Sequence, residues 1–293
     1  MDKISIIMNC YNGEKFLHQA LDSIVRQTYQ NWELIFWDNK SNDQSKEIFY
    51  SFKDSRFKYY LAENHTKLFR ARNLASKKAT GDYLAFLDTD DYWVDIKLES
   101  QLRVMKSDRN LDFCFTKYFV LDQKKDSQKV NTNEDLKYKN LGELFENYQI
   151  GLSTVLLSKK IMIDQNYKFN DNYNIIGDFD LFSKLIQNVK FKYIEKPLAI
   201  YRWHSNNLST INNSEELDEL NDWLEKERSK KKIKKVFLKI MEKKIEHMNI
   251  IRSLREKNYS NALKKIIFFP IDKKKIKLIF YFFYVVFFKK DKN

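Results

Sequence analysis

The segment Phe86-Leu87-Asp88-Thr89-Asp90-Asp91 sets three carboxylates within four residues, directly behind an apolar run. Like charges this close repel. A hard divalent ion such as Mg2+ or Mn2+ offsets such a cluster by accepting carboxylate oxygens together with the phosphate oxygens of a substrate. On an extended segment Asp88 and Asp90, two residues apart, point to the same side, so one ligand can meet both. The plainer reading is a solvated acidic turn in which Asp91 caps the next helix, but the position at the end of a buried strand argues against it. Cys10 and Cys114 are the only cysteines. They make no disulfide framework, and no Cys/His cluster has zinc-ligand spacing, which fits a reducing compartment.

The elements that must hold these acids in place are legible from hydrophobic periodicity. Residues 4–8 read as a buried strand that ends in a polar turn at Gly13, and Phe16, Leu17, Ala20, Leu21, Ile24 and Val25 follow at helical spacing. Residues 32–37 form the next strand, and residues 38–43 supply turn and N-cap chemistry for a helix through Ile48 and Phe52. A strand at 57–61, a helix over 68–79 and a buried strand at 83–87 complete the alternation. Strand and helix in turn imply an open, mostly parallel α/β sheet. Ligands of such sheets lie beyond the carboxyl ends of the strands, so residues 10–13, 38–43 and 88–91 are predicted to converge on one crevice.

The 293 residues carry a net charge of +13, and its distribution is uneven. Residues 225–293 hold 22 Lys/Arg against 7 Asp/Glu, which leaves the preceding part close to neutral. A neutral body with a basic tail points to an anionic surface as partner. The N-terminal apolar run is too short for a signal peptide, which places the chain in the cytoplasm. From about Ser214 the pattern turns to long basic helices; Ile233, Val236, Phe237, Ile240, Met241, Ile245, Met248 and Ile251 form an apolar stripe suited to packing on the body. Residues 278–288 are all apolar or aromatic and are flanked by Lys273, Lys274, Lys275, Lys277, Lys289 and Lys290. As a helix this stretch is about 16 Å long, roughly half of a hydrocarbon core. It cannot span, and peripheral attachment to an anionic membrane surface follows; packing against the body is the competing explanation.

Taken in order, Ser5-Ile6-Ile7-Met8-Asn9-Cys10-Tyr11-Asn12-Gly13, Gln27-Thr28-Tyr29, Trp32-Glu33-Leu34-Ile35, residues 38–45, Ala71-Arg72-Asn73, Gly81-Asp82-Tyr83, the acidic segment, Gly177-Asp178-Phe179-Asp180-Leu181 and Tyr201-Arg202-Trp203-His204 resemble an inverting glycosyltransferase of family 2. The likeness runs over roughly residues 3–212. It implies the GT-A fold, a Rossmann-like α/β architecture with a mostly parallel central sheet flanked by helices, over residues 1–212, and leaves the basic helices over 213–293 as an extension. It implies transfer of a sugar from a nucleotide-diphosphate donor, with a UDP-sugar as the first guess, to the hydroxyl of a saccharide or lipid-linked saccharide acceptor. A divalent cation, Mn2+ or Mg2+, is the expected cofactor, and the inner face of the cytoplasmic membrane the expected location.

Carried over residue by residue, the resemblance puts Tyr11 against the face of the base, with Asn12 and Thr89 in the same donor site. Asp38 accepts from the base N–H, Arg72 lies near the base or phosphates, Asp88 meets the ribose and Asp90 the metal. His204 becomes a second metal or phosphate contact and Arg202 a phosphate contact. Asp178 becomes the general base, with Asp180 as its rival, and Ser153 and Thr154 line the acceptor side. Three departures stand out: Lys40 where the family usually has Gly, Asn9-Cys10 in place of a Pro-Thr type pair, and Gly177 where an acidic residue usually precedes the base. A sugar nucleotidyltransferase would need a Gly-rich, Arg-containing loop after the first strand, which is absent. A nucleic-acid-binding protein would carry its basic residues around the crevice rather than in a tail, so no nucleic acid is expected. A scaffold without catalysis is disfavoured because each expected acid of the donor site is present.

Overall fold

The computed structural model describes residues 2–131, 138, 140–163, 167–208 and 213–288. The described chain divides into two compact units, Met1–Asn140 with Gln149–Asn207, and Leu141–Tyr148 with Leu208–Asn293. The short helix at 141–146 thus belongs with the C-terminal helices, a membership that chain order does not suggest; the expected boundary at 212/213 falls where residues 209–212 lie outside the described part.

The first unit opens with β1 (Ile4–Cys10), α1 (Glu14–Val25), β2 (Trp32–Asp38), α2 (Ser45–Ser51), β3 (Phe57–Leu61), α3 (Leu68–Ser76) and β4 (Tyr83–Phe86). It continues through β5 (Tyr92–Trp93), α4 (Lys97–Ser107), β6 (Phe113–Asp122) and β7 (Ser127–Val130), and after the 141–148 excursion through β8 (Val155–Ser158), α6 (Lys159–Ile163), α7 (Gly177–Leu185) and β9 (Phe191–Trp203). The helix at 141–146 is α5. Among the described residues the strands form one sheet in the order β3-β2-β1-β4-β8-β6-β9-β5, with β7 on β6. Pairing is parallel from β3 to β4 and between β6 and β9, and antiparallel elsewhere. The α/β architecture with helices flanking a central sheet is the expected one.

Winding outward from β1 to β2 and β3, then back past β1 to β4, makes the carboxyl ends of β1 and β4 a topological switch point, where a crevice opens. Every residue of β1 and β2 is buried. The opposite end of these strands is held by Glu33, whose carboxylate accepts from Ser5 Oγ (2.6 Å), Thr80 N and Oγ1 (2.7 Å each), Lys3 Nζ (2.9 Å) and Lys58 Nζ (2.5 Å). Burial works to raise its pKa, but these donors outweigh burial and hold it well below the usual carboxylate range. One acid therefore ties β1, β2, β3 and the approach to β4 together.

The second unit contains α5, α8 (Asn213–Lys230), α9 (Lys235–Arg255), α10 (Tyr259–Phe268), α11 (Lys273–Phe283) and a π-helical turn, Tyr284–Phe288. Phe145 of α5 stacks edge-on against Trp223 of α8. In α9 the buried row is Leu238, Met241, Ile245, Ile250 and Leu254, whereas Val236 of the expected stripe is exposed, because α9 packs against several helices rather than one surface. No helix of the described residues is long and apolar enough to cross a membrane.

One buried lysine of the first unit lacks a hydrogen-bond partner among the described residues. Lys97 at the start of α4 is fully buried, its Nζ 4.0 Å from the Trp93 ring centroid. Burial pulls its pKa from 10.5 down to about 7. The unfolded chain then binds more protons between pH 7 and 10.5, so stability rises across that window, and the penalty is complete below it. Lys97→Met is expected to stabilise the fold by about 1–3 kcal/mol at neutral pH. Urea unfolding should show that gain shrinking as the pH approaches 10.5.

Candidate active site

The loops after β1 and β2 are sewn together by their own backbones. Asn39 N donates to Cys10 O (2.8 Å), Asn12 N to Ser41 Oγ (3.1 Å), Gly13 N to Ser45 Oγ (3.0 Å) and Glu14 N to Asp43 Oδ2 (2.9 Å). Asn12 takes a left-handed φ of 54°, and its Oδ1 accepts from Asn42 N (2.9 Å), so its side chain is committed to the loop junction. The loop after β4 arrives from the other side. A Cβ on Gly13 would lie 2.9 Å from Thr89 Oγ1, closer than real Cβ atoms come, and a tight 3.1 Å from Cys10 Sγ. The predicted convergence of residues 10–13, 38–43 and 88–91 is present.

Tyr11 stands 55% exposed at the rim, its ring 4.3 Å from that of His65. His65 is anchored through Nδ1 to Asn39 O (2.9 Å). His65 is 54 residues away in sequence, and only the fold brings it beside Tyr11. Asp38 is buried: its Oδ1 accepts from Ser41 N (2.7 Å) and its Oδ2 from Tyr59 OH. Burial, then the hydrogen bond to Asp38 and its charge, raise the Tyr59 pKa, which keeps the phenol a donor. Lys40 carries a φ of 70°, the left-handed region that favours glycine, so the lysine retains the turn that the family's usual Gly would make.

Each carboxylate of the acidic segment is answered by a different partner. Arg72, buried on α3 with its guanidinium 4.8 Å from the Phe69 ring centroid, pairs with Asp88. Asp90 Oδ2 meets His204 Nε2 at 3.1 Å, with Asn207 Nδ2 at 3.4 Å. Asp91, 3% exposed, accepts from Arg202 N (2.9 Å) and is also bonded by Ser153. Burial first, then the neighbouring Asp88, raises the Asp90 pKa, with His204 opposing; burial, Asp90 and Asp88 raise that of Asp91 much further. His204 Nδ1 faces Asn206 N at 3.2 Å, which assigns the proton to Nε2 and its hydrogen bond to Asp90.

Arg202 does not offer its guanidinium to an open phosphate site. It is 4% exposed, its Nε donates to Asp90 O (2.8 Å), and its head lies over Phe16 (4.5 Å) and Tyr92 (5.3 Å) while bonding Gln19. It braces the acidic loop from behind. Ser153 and Thr154 do not line an open acceptor surface either: both are buried, and their carbonyls accept from Trp93 Nε1 and Gln101 Nε2 (2.8 Å each). Asn207 was missed in the sequence. Its Oδ1 caps His204 N and its Nδ2 reaches Arg202 O and Asp90, a role set by a turn with no motif of its own.

Asp178 lies half-buried in the first turn of α7, its Oδ1 accepting from Phe179 N (2.8 Å) at the positive end of the helix. Asp180 is 2% exposed and bound to Lys184 Nζ (2.5 Å), which leaves Asp178 as the more accessible carboxylate of the two. Gly177 has a physical reason. A Cβ there would fall 2.3–2.7 Å from the Phe69 ring, so Phe69 fills the volume that the family's usual acidic side chain would need.

Phe69 and Gly177 therefore form a matched pair. Gly177→Ala is expected to cost about 2 kcal/mol by overpacking, and Phe69→Ala about 3 kcal/mol by opening a cavity. Combined, they should cost about 1–2 kcal/mol less than their sum, a coupling that a double-mutant cycle by urea unfolding measures.

As a cation site the arrangement is partial. Among the described residues no group of three or more His, Cys, Asp or Glu side chains is arranged to hold a metal ion. Asp90 and His204 supply one carboxylate and one imidazole, and such a pair suits Mg2+ or Mn2+ only when substrate oxygens complete the shell.

Comparison with known proteins is consistent across sequence and fold. The family model described as Glycosyl transferase family 2 matches residues 5–179, more than half of the chain. The Escherichia coli protein WfgD, a UDP-Glc:alpha-D-GlcNAc-diphosphoundecaprenol beta-1,3-glucosyltransferase, is 34% identical over 166 residues, which cover 57% of this chain and 64% of WfgD. WfaP of Escherichia coli, with the same named activity, is 30% identical over 71% of this chain and 80% of its own length. TuaG of Bacillus subtilis, a putative teichuronic acid biosynthesis glycosyltransferase, is 31% identical over 54% of this chain and 62% of its own. The chain thus spans just under two thirds of WfgD and TuaG. In fold it is similar to S. aureus TarS 1-349 in complex with UDP-GlcNAc, with a TM-score of 0.64 and 16% identity over 97% of this chain and 81% of that one. This chain belongs to glycosyltransferase family 2.

Proposed function

We propose that this glycosyltransferase moves a sugar, with inversion, from a UDP-sugar to a hydroxyl of a lipid-linked saccharide at the inner face of the cytoplasmic membrane. The observation that carries the reading is the contact of Asp90 with His204, 114 residues away, at the crevice where the loops after β1, β2 and β4 meet. The named activities of WfgD and WfaP support the donor and acceptor classes. In this reading Tyr11, with His65 at its edge, covers one face of the base, and Asp38 accepts from the base N–H through the lone pairs that Ser41 and Tyr59 leave open. Asp88, fixed by Arg72, takes the ribose hydroxyls, and Asn12 and Thr89 shape the wall between base and diphosphate. Arg202 acts by holding the Asp90 carbonyl rather than by touching phosphate.

Asp90 and His204 are the residues that would hold a divalent cation; for Nε2 to ligate, the imidazole proton must move to Nδ1 and the Asn206 contact must be given up. The cation would supply charge stabilisation on the departing diphosphate. Asp178 takes the proton of the acceptor hydroxyl as its oxygen attacks the anomeric carbon. The new C–O bond forms on the face opposite the bond to the diphosphate, which breaks with its electron pair going to phosphate oxygen. Configuration at that carbon is inverted.

Asp178→Asn should keep donor binding and lower transfer by at least about 10²-fold. Loss of donor affinity in that variant would instead make Asp178 a structural or metal residue. Asp90→Ala should abolish cation-dependent donor binding, measured by calorimetry with a UDP-sugar, since one carboxylate is half of the protein's donor set. Unchanged turnover with unchanged Mn2+ dependence would remove Asp90 from that role.

A further inference from the structure

The C-terminal helices have two faces, and only one of them is used. Ile250, Leu254, Ala262, Ile266, Phe269 and Leu278 form a closed cluster, with Tyr281 and Phe282 packed against it. Part of the apolar run at 278–288 is therefore interior, packed against α9 and α10 of its own unit. On the other face Phe268 is 86% exposed, Ile271 91% and Phe280 72%, joined by Ile267, Ile276, Phe283 and Tyr284. Residues 276, 280 and 283 follow helical spacing along one side of α11 and residue 284 extends that row into the π-helical turn, while residues 267, 268 and 271 lie at the end of α10 and in the connection that follows it. Scattered apolar side chains are ordinary on a surface, but these seven large ones, all exposed within residues 267–284, mark an interaction site.

Charge identifies the occupant. Residues 257–288 contain seven lysines and one acid, Asp272. That acid is already engaged, pairing with Lys243 and accepting from Lys275 N (2.9 Å) as the cap of α11. Lys264 of α10 and Lys274 and Lys277 of α11 are exposed. A second copy of this chain would set lysines against lysines, whereas an anionic bilayer offers head groups for the cations and acyl chains for the aromatics. We propose that the turn joining α10 to α11 docks on an anionic lipid bilayer, with Phe268, Ile271 and Phe280 entering the acyl boundary and Lys264, Lys274 and Lys277 engaging the head groups. This deepens the membrane-facing reading of the transferase while standing on a surface separate from its catalytic residues. Lys289 and Lys290, which flank the apolar run in the sequence, lie outside the described residues.

Truncation at residue 271 would remove Leu278 from the interior cluster, so point substitutions are the cleaner test. The full chain is sedimented with vesicles of phosphatidylcholine alone and with vesicles containing about one-third phosphatidylglycerol. Binding should favour the anionic vesicles by at least about tenfold at low salt and fall as salt rises. A Phe268→Ser, Ile271→Ser, Phe280→Ser variant should lose at least about tenfold of that affinity with its melting temperature unchanged. Ile271→Ser alone, at the most exposed position, serves if the triple variant loses its fold. Lys264→Gln with Lys274→Gln and Lys277→Gln should flatten the salt dependence. Equal binding by wild type and the serine variant, no binding of wild type to the anionic vesicles, or a solution dimer that the serine substitutions dissociate would each overturn the proposal. Transfer to a soluble acceptor should be unaffected in every variant, and its absence in wild type would count against the transferase reading rather than against docking.

Discussion

Three like charges in four residues are the constraint around which the catalytic unit is arranged. Asp88, Asp90 and Asp91 cannot sit together at the end of a buried strand unless each is answered, and each answer comes from a different place: Arg72 from α3, His204 from the turn after β9, and the backbone N–H of Arg202 from β9 itself. Arg202 adds a second tie through the Asp90 carbonyl. The acidic segment thereby locks elements that are distant in sequence, and its own geometry depends on theirs. Burial pushes the Asp90 and Asp91 pKa values up, so the loop carries a cost that a bound cation would relieve at Asp90.

The opposite ends of the same strands show a complementary solution. There a single buried acid, Glu33, is surrounded by donors from β1, β3 and the approach to β4. One end is thus saturated and fixed. The other carries clustered acids with partial satisfaction, which is where chemistry with a charged ligand belongs. Between them the parallel order β3-β2-β1-β4 directs three loops to one crevice.

Local signals in the sequence reached as far as local physics does. Apolar runs ending in polar turns or acids were enough to find β1, β2 and β4 and the loops beyond them, because strand burial and turn chemistry are written in neighbouring residues. Partnerships were less legible. Phe16, Gln19 and Asn207 show nothing unusual in their own surroundings, yet they hold Arg202 and His204 through contacts that exist only after folding. Phe69 and Gly177 are each unremarkable alone and intelligible only as a pair. Ser153 and Thr154, expected on the acceptor side, are buried, with their carbonyls taken by Trp93 and Gln101. The apolar tail read as one unit, while helical periodicity around a small cluster divides it into a packed and an exposed face.

In the proposed mechanism protein, cation and diphosphate complete the crevice jointly, none of the pairs sufficing. Calorimetric titration of the wild-type chain with UDP, with Mn2+, and with each in saturating presence of the other tests it directly. Each alone should bind weakly, and each should strengthen the other by the same factor, at least about tenfold, as linkage requires. UDP binding that is equally tight in Mn2+ and in a chelator would contradict the account.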